Sequence, residues 1–297
     1  RRIKHYVLLG TNLMKFENLN LIPSILRALE DQNYTHPTSI QEKAIPLILE
    51  NHDVLGSAQT GTGKTAAFAI PIIQHLAKDN KHPSGRRRVK SLIVTPTREL
   101  AIQIGESFSA YAKYTQIKNT VIFGGVKQGS QVNALHRGID VLVATPGRLL
   151  DLMNQGFISL SDIEYFVLDE ADRMLDLGFE PEIRAIAGAT RADRQTVMFS
   201  ATWPNSVQGL AAEFMTNPIK CRIGAEGLKA SHSIKQIVEV VEPHEKDQHL
   251  HRLLNKYLGS EKVTPRCLVF ALYKKECARV HDLLRRNWKS ASIHGDM

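Results

Sequence analysis

Short runs of β-branched and aliphatic residues alternate with helical stretches, and this alternation constrains the fold more than any other feature. The runs cover residues 92–95, 121–123, 141–144, 166–168 and 196–199. Each gives way to Gly, Pro, Asp or Ser, the residues of turns and caps. Helical patterns lie between them, at 23–32, 64–78, 99–113, 181–187 and 205–215. Strands alternating with helices imply an α/β fold with a doubly wound parallel sheet covered on both faces. Ligands of such sheets sit at the carboxyl ends of the strands. The residues that follow each run are therefore the ones to read for function.

Ala58-Gln59-Thr60-Gly61-Thr62-Gly63-Lys64-Thr65 lies between the apolar stretch Asp53-Val54-Leu55-Gly56 and a helix that begins near Lys64. It fits the P-loop pattern with Ala58 in place of the first Gly. A glycine-rich turn aims successive backbone N–H groups into an anion-binding concavity, and the helix N-terminus adds its dipole. In that pattern Lys64 reaches the β and γ phosphates and the Thr65 hydroxyl binds Mg²⁺. The plainer reading is a flexible turn before a helix.

A second feature weakens that plainer reading. Tyr165-Phe166-Val167-Leu168 is an apolar strand that runs into Asp169-Glu170-Ala171-Asp172. An acid at a strand end beside a phosphate-binding turn can hold Mg²⁺ through its water shell, which suits Asp169. A second acid, Glu170, can orient the attacking water. Alone, these carboxylates read as a solvated helix cap. Together with the turn about 100 residues earlier, they read as a nucleotide site.

Asp169-Glu170-Ala171-Asp172 spells D-E-A-D, and the chain resembles the DEAD-box ATP-dependent RNA helicases from about Phe16 to Met297, with six motifs in the family's order. The resemblance implies a RecA-like first domain with ATP and Mg²⁺ as its nucleotide and metal. Tyr34-Thr35-His36-Pro37-Thr38-Ser39-Ile40-Gln41 resembles the Q motif. There Gln41 reads the adenine edge and Phe16 stacks on the base, although Phe16 read alone is equally an ordinary core aromatic. Asn33 stands where the family has Gly, and Asn tolerates left-handed backbone. Pro96-Thr97-Arg98, Gly124-Gly125 and Thr145-Pro146-Gly147-Arg148 resemble the family's RNA-backbone contacts. They offer hydroxyls, N–H groups and guanidinium but no base reader, so binding should be sequence-independent and salt-sensitive. In the family, Ser200 and Thr202 of Ser200-Ala201-Thr202 bond the last acid, here Asp172, and couple the nucleotide site to RNA remodelling. The Trp203-Pro204 continuation resembles the subgroup acting in ribosome assembly and on messenger RNA.

The expected organisation is an N-terminal extension at 1–15, a RecA-like ATP-binding domain at 16–224 (with the Q motif at 14–42), a small polar linker at 225–233 and the start of a second RecA-like domain at 234–297. That second part is expected to hold strands at 234–241, 267–272 and 291–294 and helices at 249–258 and 274–287. Residues 268–276 and 293–297 resemble the first second-domain motifs, and His294 reads as structural. The family's later motifs, with the arginine fingers, have no counterpart. An arginine finger is worth about 10³–10⁵ in rate, roughly 4–7 kcal/mol. The expectation is therefore weak ATP–Mg²⁺ binding and very slow hydrolysis by this chain alone.

The 297 residues carry a formal charge of +8, which favours a polyanionic partner only weakly. The longest apolar run, 66–73, is far short of a membrane span, so no membrane role is expected. Cys221, Cys267 and Cys277 fit neither a disulfide framework nor a zinc site, which suggests an intracellular protein. The subgroup resemblance leans toward ribosomal RNA processing in a nucleolus. The charge cluster Arg86-Arg87-Arg88 reads as a solvated loop rather than an RNA patch. The expected partner is RNA, and the expected state is a monomer. The rival readings are an ATP- and RNA-binding module without turnover, and a DNA translocase or other P-loop ATPase.

Overall fold

The computed structural model describes residues 14–57, 61–79, 87–222, 235–258 and 266–295. The chain divides into two compact units, Arg1–Gly227 and Leu228–Met297.

The first unit is a seven-stranded sheet between helices. Its strands are β1 (Val54–Ser57), β2 (Ser91–Val94), β3 (Asn119–Ile122), β4 (Val141–Ala144), β5 (Tyr165–Leu168), β6 (Gln195–Ser200) and β7 (Ile219–Arg222). Its helices are α1 (Pro23–Asp31), α2 (Ser39–Leu49), α3 (Lys64–Lys78), α4 (Arg98–Tyr111), α5 (Gly129–His136), α6 (Pro146–Asn154), α7 (Ala171–Asp176), α8 (Glu180–Gly188) and α9 (Asn205–Phe214). The strand order is β3-β4-β2-β5-β6-β1-β7, with every pairing parallel.

Both faces are buried, which is why the strands read as continuous apolar runs. Side chains still alternate between two cores. Val141, Val143, Tyr165 and Val167 face one cluster with Phe68, Phe108 and Phe199. Leu142, Ala144, Phe166 and Leu168 face the other with Leu149, Met198 and Leu210. The ring of Phe68 sits 6.3 Å from that of Phe108 and 5.8 Å from that of Phe199. Each such buried side chain contributes about 1.5–3 kcal/mol. Gly56 on β1 is required by this packing, because a Cβ there would lie 2.1 Å from the Phe199 ring.

Buried polar groups tie the amino ends of the strands together. Asp53 accepts from the backbone N–H of Thr196 and of Thr216, each at 2.7 Å. Arg87 is not a solvated loop residue. Its Nη1 lies 2.5 Å from Asp140, whose carboxylate is 4% exposed and also accepts from the Lys118 N–H. Burial of Asp140 beneath β4 demands that partner. Arg88, 76% exposed, is solvated as expected and makes a surface pair with Asp162.

The second unit holds α10 (Lys246–Leu258) and α11 (Lys274–Leu284), joined by Arg279, which donates to both oxygens of Asp247 at 2.7 and 2.8 Å. The strands expected at 234–241, 267–272 and 291–294 are not formed among the described residues. Val238, Phe270 and Ile293 are 91%, 88% and 89% exposed. A strand needs a hydrogen-bonded neighbour and an apolar face needs a cover, and among the described residues these segments have neither. The expected linker lies outside the described residues.

Candidate functional site

The strand order sorts the motifs into two groups. β5, β6 and β1 are neighbours, and they carry Asp169–Asp172, Ser200–Thr202 and the phosphate-binding turn at their carboxyl ends. β3, β4 and β2 are neighbours, and they carry Gly124-Gly125, Thr145–Arg148 and Pro96–Arg98. The β2–β5 pairing joins the groups.

In the first group, Gly61 and Gly63 adopt φ of +83° and +90°, which a side chain would strain. Gly63 caps α3, so the helix opens with Lys64 and Thr65. Residues 58–60, which include Ala58, Gln59 and Thr60, lie outside the described residues. Lys64 is buried, and its Nζ lies 3.9 Å from Oδ1 of Asp169. Burial pushes the Asp169 carboxyl up to about 6; Lys64 pulls it down, and Glu170 adds to the rise. Oδ1 of Asp169 is buried without a hydrogen-bond partner. An orphaned carboxylate oxygen beside a lysine and the Thr65 helix start fits a Mg²⁺–phosphate pair, since Mg²⁺ takes one or two carboxylates and completes its shell with phosphates and water. Glu170 caps α7 at φ 56°, a left-handed conformation that costs a non-glycine residue about 1–2 kcal/mol.

Asp172 is locked to the end of β6. Its Oδ2 accepts from the backbone N–H of Thr202 at 2.8 Å and from the Thr202 hydroxyl at 2.7 Å. Ser200 Oγ accepts from the Asp172 backbone N–H at 3.2 Å and donates to the Thr202 carbonyl at 2.7 Å. Burial raises the Asp172 carboxyl, but the bonds from Thr202, Ser200 and the Arg173 N–H outweigh it and hold the group below its ordinary value.

The Q-motif residues are held by the protein's own groups. Asn33 does take the left-handed turn, at φ 57°. Gln41, only 3% exposed, already uses its amide on protein: Oε1 accepts from the Thr38 N–H at 2.9 Å, and Nε2 donates to the Gly63 carbonyl at 3.1 Å. Its place is a brace between the start of α2 and the phosphate-binding turn. Each end keeps one further hydrogen-bonding valence. Phe16 is 3% exposed and packs on Tyr34 with ring centroids 6.5 Å apart, so it is a core aromatic rather than an open stacking face. Tyr34, 40% exposed, presents the accessible ring, and an apolar count along the sequence had no means of choosing between the two.

In the second group, Pro96, Arg98, Gly124, Thr145, Gly147 and Arg148 line one cavity of about 440 Å³. Thr97 caps α4 by accepting from the Leu100 N–H, and Thr145 precedes α6 with Pro146 in its first turn, so two helix starts face the cavity's rim. Gly124 and Gly125 have open space where a Cβ would stand, and Gly125 is at φ +80°. Arg98 is exposed, with its guanidinium 4.8 Å from the centre of the Phe123 ring. Arg148 spends two of its five N–H donors on protein. It donates to the Val126 carbonyl at 2.9 Å and to Gln131 Oε1 at 3.1 Å, holding the glycine loop. Gln131, which no motif signals, also bonds both backbone groups of Phe123. Asp151 and Phe179 complete the lining and were likewise missed, because neither follows a strand.

The DEAD/DEAH box helicase family model matches residues 38–210, a span that contains both groups. The chain is 44% identical over 287 residues to DEAD-box ATP-dependent RNA helicase 5 of Oryza sativa subsp. japonica, covering 96% of this chain and 55% of that protein. It is 45% identical over 293 residues to ATP-dependent RNA helicase dbp3 of Schizosaccharomyces pombe, covering 96% and 49%. A crystal structure of a DEAD box protein from Methanococcus jannaschii superposes with a TM-score of 0.66 at 35% identity, covering 96% of this chain and 74% of that one. The chain spans about half the length of the curated relatives it matches. Strand-end acids, a lysine-bearing phosphate turn and a family match across both therefore agree that the chain belongs to the DEAD/DEAH box helicases.

Proposed function

We propose that this chain supplies the ATP-binding half of an ATP-dependent RNA helicase. It takes ATP on Gly61–Thr65 and holds the sugar–phosphate backbone of single-stranded RNA across the cavity between Arg98, Gly124 and Gly147. The observation that supports this best is the pair of strand-end groups carried on one sheet and joined by the β2–β5 pairing.

In this reading Lys64 contacts the β and γ phosphates. Thr65 and Asp169 hold Mg²⁺, which neutralises phosphate charge. Glu170 orients the attacking water. Ribosomal RNA processing, action as a monomer and a nucleolar address belong to the same proposal; the Ser200–Pro204 string alone supports the first and last of these.

A second reading, an ATP- and RNA-binding module with little turnover, makes the same contacts without hydrolysis.

RNA-stimulated ATP turnover, with Lys64→Ala as background, separates the two. Turnover well above background supports the helicase reading for this chain. RNA and ATP affinity without turnover supports the module. Nucleotide affinity retained by Lys64→Ala removes the phosphate assignment.

A further inference from the structure

The first unit holds another cavity, of about 410 Å³, set between α9 and the β1–β7 margin of the sheet. That volume is within the usual range of ligand sites. Its floor is aliphatic: Leu55, Ala211 and Met215, all nearly buried. Trp203 forms a wall, and its Nε1 is buried without a hydrogen-bond partner. A buried N–H lacking an acceptor is costly, and an acceptor brought by a ligand relieves it.

The lip is cationic. Lys220 and Arg222 are both exposed and two residues apart on β7, so they share the sheet face of Leu55 and Ser57, with which they pair in register. Among the described residues no Asp or Glu lines the cavity. β7 is an edge strand, which places this lip at the open margin of the sheet.

We propose that this cavity docks an acidic peptide segment, which inserts one bulky aliphatic side chain over Leu55 and Met215 and sets its carboxylates beside Lys220 and Arg222. A peptide carbonyl next to the inserted side chain supplies the acceptor for Trp203 Nε1. Charge complementarity selects the partner's sign, and the aliphatic pit selects protein over RNA. Nucleobases stack on open aromatic faces, whereas here the aromatic is a half-buried wall. None of Lys64, Asp169 or Arg98 lines this cavity, so its failure and that of the helicase reading are independent.

The test is fluorescence anisotropy of a short labelled peptide of aspartate and glutamate with one central leucine, titrated with the whole chain. Saturable binding is expected. It should weaken about tenfold or more when the leucine is replaced by serine, and about fivefold or more in Lys220→Glu. Ala212→Trp, which fills the cavity from an exposed position on α9, should abolish it. Lys220→Glu guards against misfolding of the tryptophan variant. Absence of binding at about 1 mM peptide overturns the proposal. So does binding indifferent to the leucine and to Ala212→Trp, or displacement by an RNA oligonucleotide through Lys220. Self-association of the chain that Ala212→Trp removes would overturn it in favour of a second copy.

Discussion

Thr202 gives both its backbone N–H and its hydroxyl to one oxygen of Asp172, at 2.8 and 2.7 Å. The last acid of the nucleotide group is thereby fastened to the strand next to the phosphate turn. The start of α7 and the end of β6 are held in one hydrogen-bonded unit with Ser200.

Thr202→Ala removes the hydroxyl bond and keeps the backbone one. The pair is half exposed, so the cost in stability is about 1 kcal/mol, a fall of about 2–4 °C in melting temperature for a unit of this size. The functional effect is larger. In a two-domain protein carrying this sequence, ATP turnover should change less than threefold while duplex unwinding falls at least tenfold, measured in parallel (about 1.4 kcal/mol per tenfold). Equal loss of both would place Thr202 in the chemistry. Because the Asp172 carboxyl is held below its ordinary 3.8, its contribution is complete above pH 4 and is lost as the pH falls through the lowered value.

Asp169 has the opposite sign. Its folded carboxyl is raised to about 6, from an ordinary value of 3.8. The nucleotide-free protein should therefore lose stability as pH rises from about 4 to about 6 and change little above that through this group. Mg²⁺–nucleotide binding needs the ionised form. Affinity by calorimetry should rise up to about tenfold per pH unit between 5 and 6 and level off above 7, with proton release near pH 6. Asp169→Asn should abolish the pH dependence and weaken Mg²⁺-dependent nucleotide binding.

Arg87 and Arg88 are adjacent arginines with different weights. Arg87→Ala leaves the Asp140 carboxylate buried with only the Lys118 N–H, and should cost about 2–4 kcal/mol. Arg88→Ala removes an exposed pair and should cost less than about 0.5 kcal/mol. Urea unfolding of the two variants checks this, and equal values would contradict the buried pairing.

Arg148→Lys keeps the charge but cannot span the Val126 carbonyl and Gln131 together. RNA affinity should fall about tenfold with an unchanged dependence on salt, because the glycine loop loosens and no phosphate contact is lost. A salt slope reduced by about one would instead mark Arg148 as a direct phosphate ligand. Arg98→Ala is the converse case and should lower the slope.

The nucleotide half of the site was legible in the sequence because its parts are contiguous. A phosphate cradle is built from successive backbone N–H groups and the helix start that follows, so Gly61–Thr65 announces itself locally. The D-E-A-D string and the Ser200–Thr202 string do the same at their own strand ends. α3 was read from residue 64 to 78, as it forms. Short apolar runs likewise marked β2 to β6 to within a few residues, because strands buried on both faces carry no polar alternation.

Residues 39–49, 129–136 and 219–222 were not read as elements. The first carries an apolar stripe, Ile40, Ala44, Ile45 and Ile48, interrupted by Pro46, and the second is only eight residues long. The last is an edge strand, with Lys220 and Arg222 facing out.

Other features depended on partners far away in the chain. Phe16 and Tyr34 are equivalent aromatics until Tyr111 and the core decide which is covered. Arg148 braces the glycine loop only because the fold brings Gln131 and the Val126 carbonyl within reach of its guanidinium. Arg87 looks solvated until Asp140 is buried beside it. The expected strands of the second unit fail for the same reason in reverse, since a strand exists only when its neighbour does.

The sequence by itself determined the chemistry of each strand end, because that chemistry is local. Only the tertiary structure decided which ends stand together, since the order β3-β4-β2-β5-β6-β1-β7 arises from helices crossing over to bury both faces of one sheet.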